Sequence, residues 1–275
     1  MLNKLCQLRS KIVYPLRRII NSDIQKNDLV VDLGCGGLPN PRANVAVDFI
    51  DDDLERADKL KIDRPFVWAS IDKLPFKEKA FDYSILSHVL EHLENPKEAL
   101  DEIQRIAKAG YIETPNAFYE YTISHTYHIS RVTVMDGVLN ISFKPKWDDT
   151  YPYPDVAKDA VRLFHHITKL DVNTLLTRYK WKDKIDYQIN GIPFIKDDSL
   201  MSTDVDPRSA IKKFLIKLIY AYHKLWLKPV NLKDILVCPK CHGELIFEEQ
   251  QCECKECKSV YEQYKGHFDF RVIGL

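Results

Sequence analysis

Short apolar runs, separated by polar residues, dominate the first half of the chain. Each run has the length and the β-branched or aromatic content of a buried strand, and together they predict strands over residues 29–33, 44–48, 66–69, 81–87 and 111–114. Between the last two runs, apolar residues recur at a spacing of three and four and predict a helix over 96–108. Strands that alternate with helices are typical of an α/β fold with a mostly parallel sheet.

Signals at both ends support the predicted helix over 96–108. Asn95 can cap its first turn, Pro96 suits that turn, and Glu98 completes a capping-box pattern. Gly110 is predicted to end the helix before the fifth strand begins.

The rest of the chain predicts additions to this sheet. A basic helix is predicted over 1–28, with a bend at Pro15, and a further helix over 155–178. Two last strands are predicted over 181–196, around the turn at Asn190, and they bring the sheet to about seven strands.

Residues 116–154 interrupt the alternation directly after the fifth strand and are rich in tyrosine and histidine. Because ligands bind at the carboxyl edge of open α/β sheets, an insertion at this place predicts a substrate lid. The alternating residues 138–143 leave open a second interpretation, an extra hairpin packed on the surface.

A polar linker and an amphipathic helix follow over residues 201–232. The helix, predicted over 211–228, has an apolar stripe with interspersed lysines. It is expected to pack on its own protein, and peripheral contact with an anionic membrane is the alternative. The predicted organisation is therefore a main domain over 1–200, this linker, and a small domain over 233–275.

Composition limits the class of protein. The chain has 275 residues with 40 basic and 40 acidic side chains, so a nucleic-acid partner is possible but not favoured. No apolar run reaches the length of about 18 residues needed to span a membrane, and the first residues lack a secretory signal, which favours a cytoplasmic protein. Seven cysteines in an intracellular protein indicate metal binding rather than disulfides.

A glycine-rich turn, Asp32–Gly37, directly follows the first predicted strand. Its glycines accept positive φ and allow the backbone to approach a ligand closely. The second predicted strand ends in Asp48, where a carboxylate is well placed to bind both ribose hydroxyls. The pair predicts an adenosine-containing ligand. A dinucleotide is disfavoured, because Pro39 replaces the third glycine of that fingerprint and has no N–H for a pyrophosphate.

Three stretches together resemble class I methyltransferases that use S-adenosylmethionine (SAM). Asp32–Gly36 is similar to their D-x-G-C-G motif. Lys73–Phe76 and Phe81–His92 resemble the LPF and LEH stretches of the type 11 subfamily, which includes ubiquinone-biosynthesis methyltransferases. The resemblance implies a Rossmann-like methyltransferase sheet, SAM as the cofactor and methyl transfer as the activity.

The resemblance also implies which residues bind SAM. Asp32 would orient the loop, Asp48 would hold the ribose, and the end of the fourth strand would border the methionine moiety. Many family members have an acid near the adenine amine, whereas this chain has Ser70 there and its nearby acid is Asp72. The implied cofactor-binding residues are Asp32, Gly34, Cys35, Gly36, Asp48, Ser70, Ile71, Ser87 and His88.

The connection between the first two strands departs from the usual pattern. Eleven residues separate Gly36 from Asp48, and they include Pro39 and Pro41. A helix of ordinary length does not fit there, so the first crossover helix is predicted to be shortened to a turn or lost.

Methyl transfer is an in-line displacement, so alignment is the main catalytic task, and an oxygen or nitrogen acceptor needs a base. Imidazole titrates near neutrality, and the candidate bases are His88, His92, His125 and His128. Among these, His88 is the predicted catalytic residue, while Glu91 and His92 are interpreted as packing and hydrogen-bonding residues.

Two C-x-x-C pairs near the end of the chain predict a metal site. Cys238, Cys241, Cys254 and Cys257 form a set of four thiolates suited to tetrahedral Zn²⁺, and Cys252 is assigned no role. Residues 235–266 resemble the zinc-ribbon family that activates RNA and protein methyltransferases as a separate subunit. The resemblance implies a fused activator, and a purely structural metal site is the alternative.

The methyl acceptor and the oligomeric state are not predicted. The favoured hypothesis is a methyltransferase acting on a small molecule, lipid or glycan. One alternative is an RNA or protein methyltransferase whose ribbon docks the substrate, and another is a non-catalytic SAM-binding or interaction protein.

Overall fold

The computed structural model describes residues 23–37, 39–49, 60, 62–122, 127–145, 175–193, 218, 220–222, 225 and 227–271. Nearly all of the predicted helix over 1–28, the predicted helix up to residue 174, and most of the predicted helix over 211–228 lie outside these residues. The part of the predicted lid beyond residue 145 also lies outside them.

The main sheet has six strands in the described part of the chain. They are β1 (Val30–Leu33), β2 (Val45–Asp48), β3 (Phe66–Trp68), β4 (Phe81–Ser87), β5 (Ala107–Pro115) and β8 (Leu176–Lys182). Their order is β3-β2-β1-β4-β5-β8, and every pair is parallel except β5 with β8. The prediction of an α/β fold with a mostly parallel sheet is therefore confirmed.

The central strands are buried on both faces, which explains their continuous apolar runs. Alternate residues of β1 enter different clusters: Val31 and Leu33 belong to the larger core, and Val30 packs with Tyr83 and Ile85 on the other face. The helices lie between and after these strands: η1, a 3₁₀ helix (Leu90–His92), α1 (Pro96–Ile106), α2 (Ala117–Thr122) and α3 (Leu232–Ile235).

The predicted boundaries of α1 were wrong in detail. The Asn95 side chain makes no capping hydrogen bond, although its carbonyl accepts from Ala99 N at 3.2 Å. The helix ends at Ile106 rather than 108, where Lys79 Nζ donates to the carbonyls of Gln104 (2.7 Å) and Ala107 (3.0 Å).

Gly110 does not end the helix, because it lies inside β5, opposite Ser84 of β4 and Trp181 of β8. A Cβ atom at this position would lie 2.5 Å from Trp181 Nε1 and 2.8 Å from the Ser84 carbonyl oxygen. The glycine is therefore required by close approach of the flanking strands.

The connection from β1 to β2 is short, as predicted. No helix occurs among its described residues, which are 34–37 and 39–44. The chain passes through turns instead.

A second sheet is built from the first part of the predicted lid. It consists of β6 (Ser130–Met135), β7 (Val138–Phe143) and β9 (Tyr187–Asn190), with β6 and β7 antiparallel and β9 parallel to β7. The hairpin indicated by the alternation at 138–143 is therefore present. Its buried residues Val132, Leu139 and Ile141 join the main core.

Two predictions for the region after residue 175 were wrong. Residues 176–178 were assigned to a helix but begin β8, which pairs with β5 over seven positions. The two strands predicted over 181–196 do not form one hairpin, since β8 and β9 lie in different sheets. Pairing with distant strands decided the structure here, and periodicity does not report it.

The cysteine-rich segment forms a third sheet. Its strands are β10 (Leu245–Phe247), β11 (Gln251–Cys254), β12 (Val260–Tyr264) and β13 (His267–Phe268), all antiparallel to their neighbours. We refer to residues 233–271 as the ribbon.

The ribbon packs along the β3 edge of the main sheet. Asp269 forms a parallel bridge with Trp68, Phe270 N donates to Trp68 O at 2.8 Å, and Trp68 Nε1 donates to Tyr264 O at 3.2 Å. The last described residues of the chain thus cover an otherwise open sheet edge.

Replacing Gly110 with alanine is expected to reduce the free energy of unfolding by about 1–3 kcal/mol, because the new methyl group overpacks the space between β4 and β8. The measurement is denaturant unfolding. In a Ser84→Ala background the loss should shrink, since the serine Oγ is the nearest atom to the new Cβ. Equal losses in both backgrounds would contradict this explanation.

Candidate functional site

The turn after β1 is tied to the backbone of β2. Gly34 and Gly36 have φ of +65° and +60°, which favour glycine. A Cβ on Gly34 would lie 2.5 Å from Val89 Cγ2. The N–H groups of Gly34 and Cys35 both donate to Val47 O, at 2.9 and 3.1 Å. These two N–H groups thus hold the turn in place, rather than pointing at a ligand as the sequence suggested.

Asp48, at the tip of β2, lies beside this turn. Its Oδ2 accepts from Gly36 N at 2.8 Å, and its Oδ1 accepts from Phe49 N at 2.8 Å. The Cys35 Sγ lies 3.7 Å from the same Oδ2. The parallel pairing of β1 and β2 thus places the glycine turn and the acid together, as an adenosine site requires.

Asp32 is buried beneath the turn. Its Oδ2 accepts from Asn40 N at 2.6 Å. This contact ties the connection after β1 to the strand itself, so Asp32 is placed to orient the loop.

The end of β3 supplies a third part of the same edge. Ala69 N donates to Asp48 O at 3.0 Å, and Ser70 O accepts from Lys73 N at 3.2 Å to form a turn. Ile71 is buried and Ser70 is half-buried. Asp72 Oδ1 is buried and has no hydrogen-bond partner among the described residues. Such an orphaned acceptor calls for an explanation, and an N–H group of a ligand would provide one.

Ser87 and His88, at the end of β4, lie against Glu113 of β5. Glu113 is fully buried, and its Oε1 lies 3.4 Å from Ser87 Oγ and 3.6 Å from His88 Nε2. Its Oε2 accepts from Tyr111 OH at 2.7 Å, with Arg178 Nε 3.4 Å away. Sequence reasoning did not identify Glu113 as a site residue; its position at the carboxyl end of a predicted strand was the available signal.

His88 is held in an uncommon backbone conformation between two carboxylates. Its φ is +58°, a region that costs a residue other than glycine roughly 1 kcal/mol. Its Nδ1 lies 3.4 Å from Glu91 Oε1 on one side, and Glu113 lies on the other. A histidine so placed is able to carry a proton that the carboxylates stabilise.

Glu91 is fully buried on η1. Burial raises the pKa of Glu91, but the nearby His88, His92 and His128 outweigh it and hold the pKa below its usual value. The carboxyl group is thus ionised at neutral pH. Of the other candidate bases, His92 and His128 lie next to Glu91, and His125 lies outside the described residues.

The four predicted zinc ligands come together in the ribbon. Their sulfur atoms all lie within 4.8 Å of one another, with 3.6 Å between Cys238 and Cys257 and 3.4 Å between Cys241 and Cys254. Tetrahedral zinc with bonds of about 2.3 Å separates its sulfurs by about 3.8 Å. The cluster is therefore compatible with Zn²⁺.

Cys252 is a core residue and not a member of this cluster. It is fully buried in β11, opposite Phe247 and Tyr261. Burial raises the pKa of its thiol to about 12, so it stays neutral. This agrees with the absence of an assigned role.

The comparison with protein families matches one part of the chain. Residues 31–112 fit the family model described as a methyltransferase domain. The matched range begins in β1 and ends in β5, so it covers the glycine turn, Asp48 and the end of β4. This match supports a class I SAM-dependent methyltransferase.

Curated relatives agree with this class. The chain is 35% identical over 132 residues to an uncharacterised protein of Methanocaldococcus jannaschii, covering 46% of this chain and 49% of the relative. It is 32% identical over 107 residues to an uncharacterised methyltransferase of Schizosaccharomyces pombe, covering 32% and 38%. It is also 31% identical over 103 residues to a demethylmenaquinone methyltransferase of Paenarthrobacter aurescens, covering 34% and 41%. The chain thus spans half or less of the length of these three relatives.

Solved structures give more distant likenesses. One is a SAM-dependent methyltransferase of Mesorhizobium loti, with TM-score 0.37, 15% identity, and coverage of 62% of this chain and 98% of that one. Another is a chain of the complex that contains the Haloferax volcanii Trm112 methyltransferase activator, with TM-score 0.31, 18% identity, and coverage of 42% and 57%. At these scores the likeness carries nothing about activity or partners.

Among the described helices, none has the length and apolar character needed to cross a membrane.

We expect the thiolate set to be selective among the cysteines. Reconstitution of the metal-free protein with Co²⁺ should produce a thiolate-to-cobalt charge-transfer band, because Cys238, Cys241, Cys254 and Cys257 hold the ion. Cys241→Ser should weaken cobalt binding at least tenfold. The matched control, Cys252→Ser, should leave the band unchanged. Loss of the band in Cys252→Ser alone would contradict the assignment.

Proposed function

We propose that this chain is a SAM-dependent methyltransferase whose cofactor crevice lies at the carboxyl ends of β1, β2, β3 and β4. The single observation that carries the proposal is the contact between the Asp48 carboxylate and the N–H of Gly36, inside a turn with two positive-φ glycines. The match of residues 31–112 to a methyltransferase domain supports it.

The residues at this edge divide the cofactor between them. Asp48 receives the ribose hydroxyls, and Asp32 keeps the turn in place from below. Ser70 and Ile71 line the adenine side, and the orphaned Asp72 Oδ1 is a candidate acceptor for the adenine amino group. Gly34, Cys35 and Gly36 line the ribose and methionine side, and Ser87 with His88 border the methionine moiety.

When bound, SAM supplies a methyl sulfonium as the electrophile. The protein must then align the acceptor atom with the methyl–sulfur bond and exclude water. His88 is the candidate base: it takes the proton that an O–H or N–H acceptor loses, at one ring nitrogen, while Glu91 and Glu113 stabilise the resulting imidazolium. The acceptor that we favour is a small molecule, lipid or glycan.

The ribbon acts as a built-in support for the cofactor crevice. It pairs with Trp68, two residues before Ser70, and covers the edge strand β3. Zinc in the four-cysteine cluster would hold the ribbon strands in register and so fix the end of β3. This role is activating rather than substrate-docking.

Calorimetric titration of SAM and of S-adenosylhomocysteine tests the cofactor site. We expect saturable binding of both, and at least about tenfold weaker binding in Asp48→Asn, since roughly 1.4 kcal/mol corresponds to one charge-assisted hydrogen bond. Asn retains an acceptor for Gly36 N, so the turn should persist.

The matched control is Asp101→Asn, the same change on the exposed face of α1. It should bind SAM as the unmodified chain does. No binding by folded, zinc-loaded protein would overturn the proposed function, and equal loss in both variants would remove Asp48 from the site.

Removal of zinc tests the role of the ribbon. Chelation should lower the thermal midpoint of the main domain by several degrees, at about 2–4 °C per kcal/mol, and should also weaken SAM binding, because the β3 edge loses its cover. Calorimetric scanning and SAM titration measure the two effects, and added zinc should reverse both. An unchanged midpoint for the main domain would show that the ribbon folds independently of the crevice.

A further inference from the structure

A second group of metal-ligand side chains lies one turn beyond the end of β4. Glu91 and His92 of η1 meet His128, which comes from the segment before β6. One ligand atom from each lies within 4.8 Å of the others, so all three can be within about 2.8 Å of a common point. Small side-chain rotations would bring them to the 2.0–2.2 Å of metal bonds.

The backbone fixes His128 at this place. Ile129 N donates to Glu91 O at 2.9 Å, and Ile129 O accepts from Lys144 N at 2.9 Å. These bonds attach the β6–β7 hairpin directly to η1. The three ligands therefore meet on paired backbone segments rather than on a loop tip.

Glu91 is the strongest sign that something is missing from this cluster. Its carboxylate is fully buried, yet neither oxygen accepts a hydrogen bond from the described residues. The nearest cationic groups are His88 Nδ1 at 3.4 Å and His92 Nε2 at 4.0 Å. A buried carboxylate without hydrogen bonds is costly unless it is paired or binds a metal.

Both imidazoles are oriented as metal ligands usually are. His92 Nδ1 lies 3.1 Å from Tyr127 O, and His128 Nδ1 lies 2.5 Å from Glu120 Oε1. A hydrogen bond from Nδ1–H to a carbonyl or a carboxylate fixes the tautomer and makes Nε2 the nitrogen that a metal takes.

The support behind His128 is itself buried. Glu120 is fully buried, and its second oxygen pairs with Lys144 Nζ at 2.6 Å, which is also buried. A buried ion pair contributes little net stability but holds one geometry, because separating its members leaves an uncompensated charge. Here that geometry is the orientation of the His128 ring.

We propose that Glu91, His92 and His128 bind a divalent first-row transition cation. Two imidazoles and one carboxylate form a ligand set that suits zinc, iron, cobalt or manganese and leaves coordination positions open. Bound there, the cation would bind an oxygen of the methyl acceptor and lower the pKa of its hydroxyl. This catalytic role rests on the proposed methyl transfer, whereas the metal site itself does not.

Addition of Co²⁺ alone to protein whose ribbon is already loaded with zinc tests the site. We expect one cobalt ion per chain, measured by calorimetry, with weak d–d absorption and no thiolate charge-transfer band. Glu91→Gln, His92→Asn and His128→Asn should each weaken cobalt binding at least tenfold. Asparagine places an amide where Nδ1 was and nothing where Nε2 was, so it preserves the bonds to Tyr127 or Glu120 and removes the ligand.

The matched control is Glu94→Gln, the same change at an exposed position three residues after Glu91. It should bind cobalt as the unmodified chain does. Absence of a cobalt ion with nitrogen and oxygen ligands in the zinc-loaded protein would overturn the proposal. So would undiminished binding in both Glu91→Gln and His128→Asn.

Titration of SAM into the same variants separates this proposal from the proposed function. The cobalt-site variants should still bind SAM within about threefold of the unmodified chain, which also shows that they are folded. Asp48→Asn should still bind cobalt. Cobalt binding without SAM binding would leave the metal site standing and remove its link to methyl transfer.

Discussion

Parallel pairing of β1 with β2 and β4 is the constraint on which the remaining structure depends. It sets Asp32 beside Ala46 and Ile85, and it brings the carboxyl ends of three strands to one edge. The glycine turn, Asp48 and His88 are functional candidates only because this register makes them neighbours. A shift of one residue in β2 would send the Asp48 side chain to the opposite face of the sheet.

The parts predicted from the sequence are those with local signals. The turn at Gly34 and Gly36, the acid at Asp48 and the two cysteine pairs each need only a few adjacent residues to specify them. The same holds for β4, whose predicted and observed bounds coincide. The lost crossover helix followed from chain length and two prolines.

The parts that escaped prediction depend on contacts between distant segments. Gly110 carried a helix-ending signal, yet the approach of β4 and β8 decided its role. His128 was one of several histidines in an insertion, and only the attachment of the β6–β7 hairpin to η1 brought it to Glu91. Neither a hydrophobic period nor a motif reports such contacts, and the pairing of the ribbon with β3 escaped for the same reason.

The contact between Trp68 and Tyr264 joins residues 196 positions apart. During synthesis the main domain emerges first, so β3 is an exposed edge until nearly the whole chain has been made. Contacts of such long range close late, because the entropy of the large loop must be paid first. Metal uptake by the ribbon therefore coincides with the end of folding, and a shortage of zinc would leave a nearly finished protein with an open edge prone to aggregation.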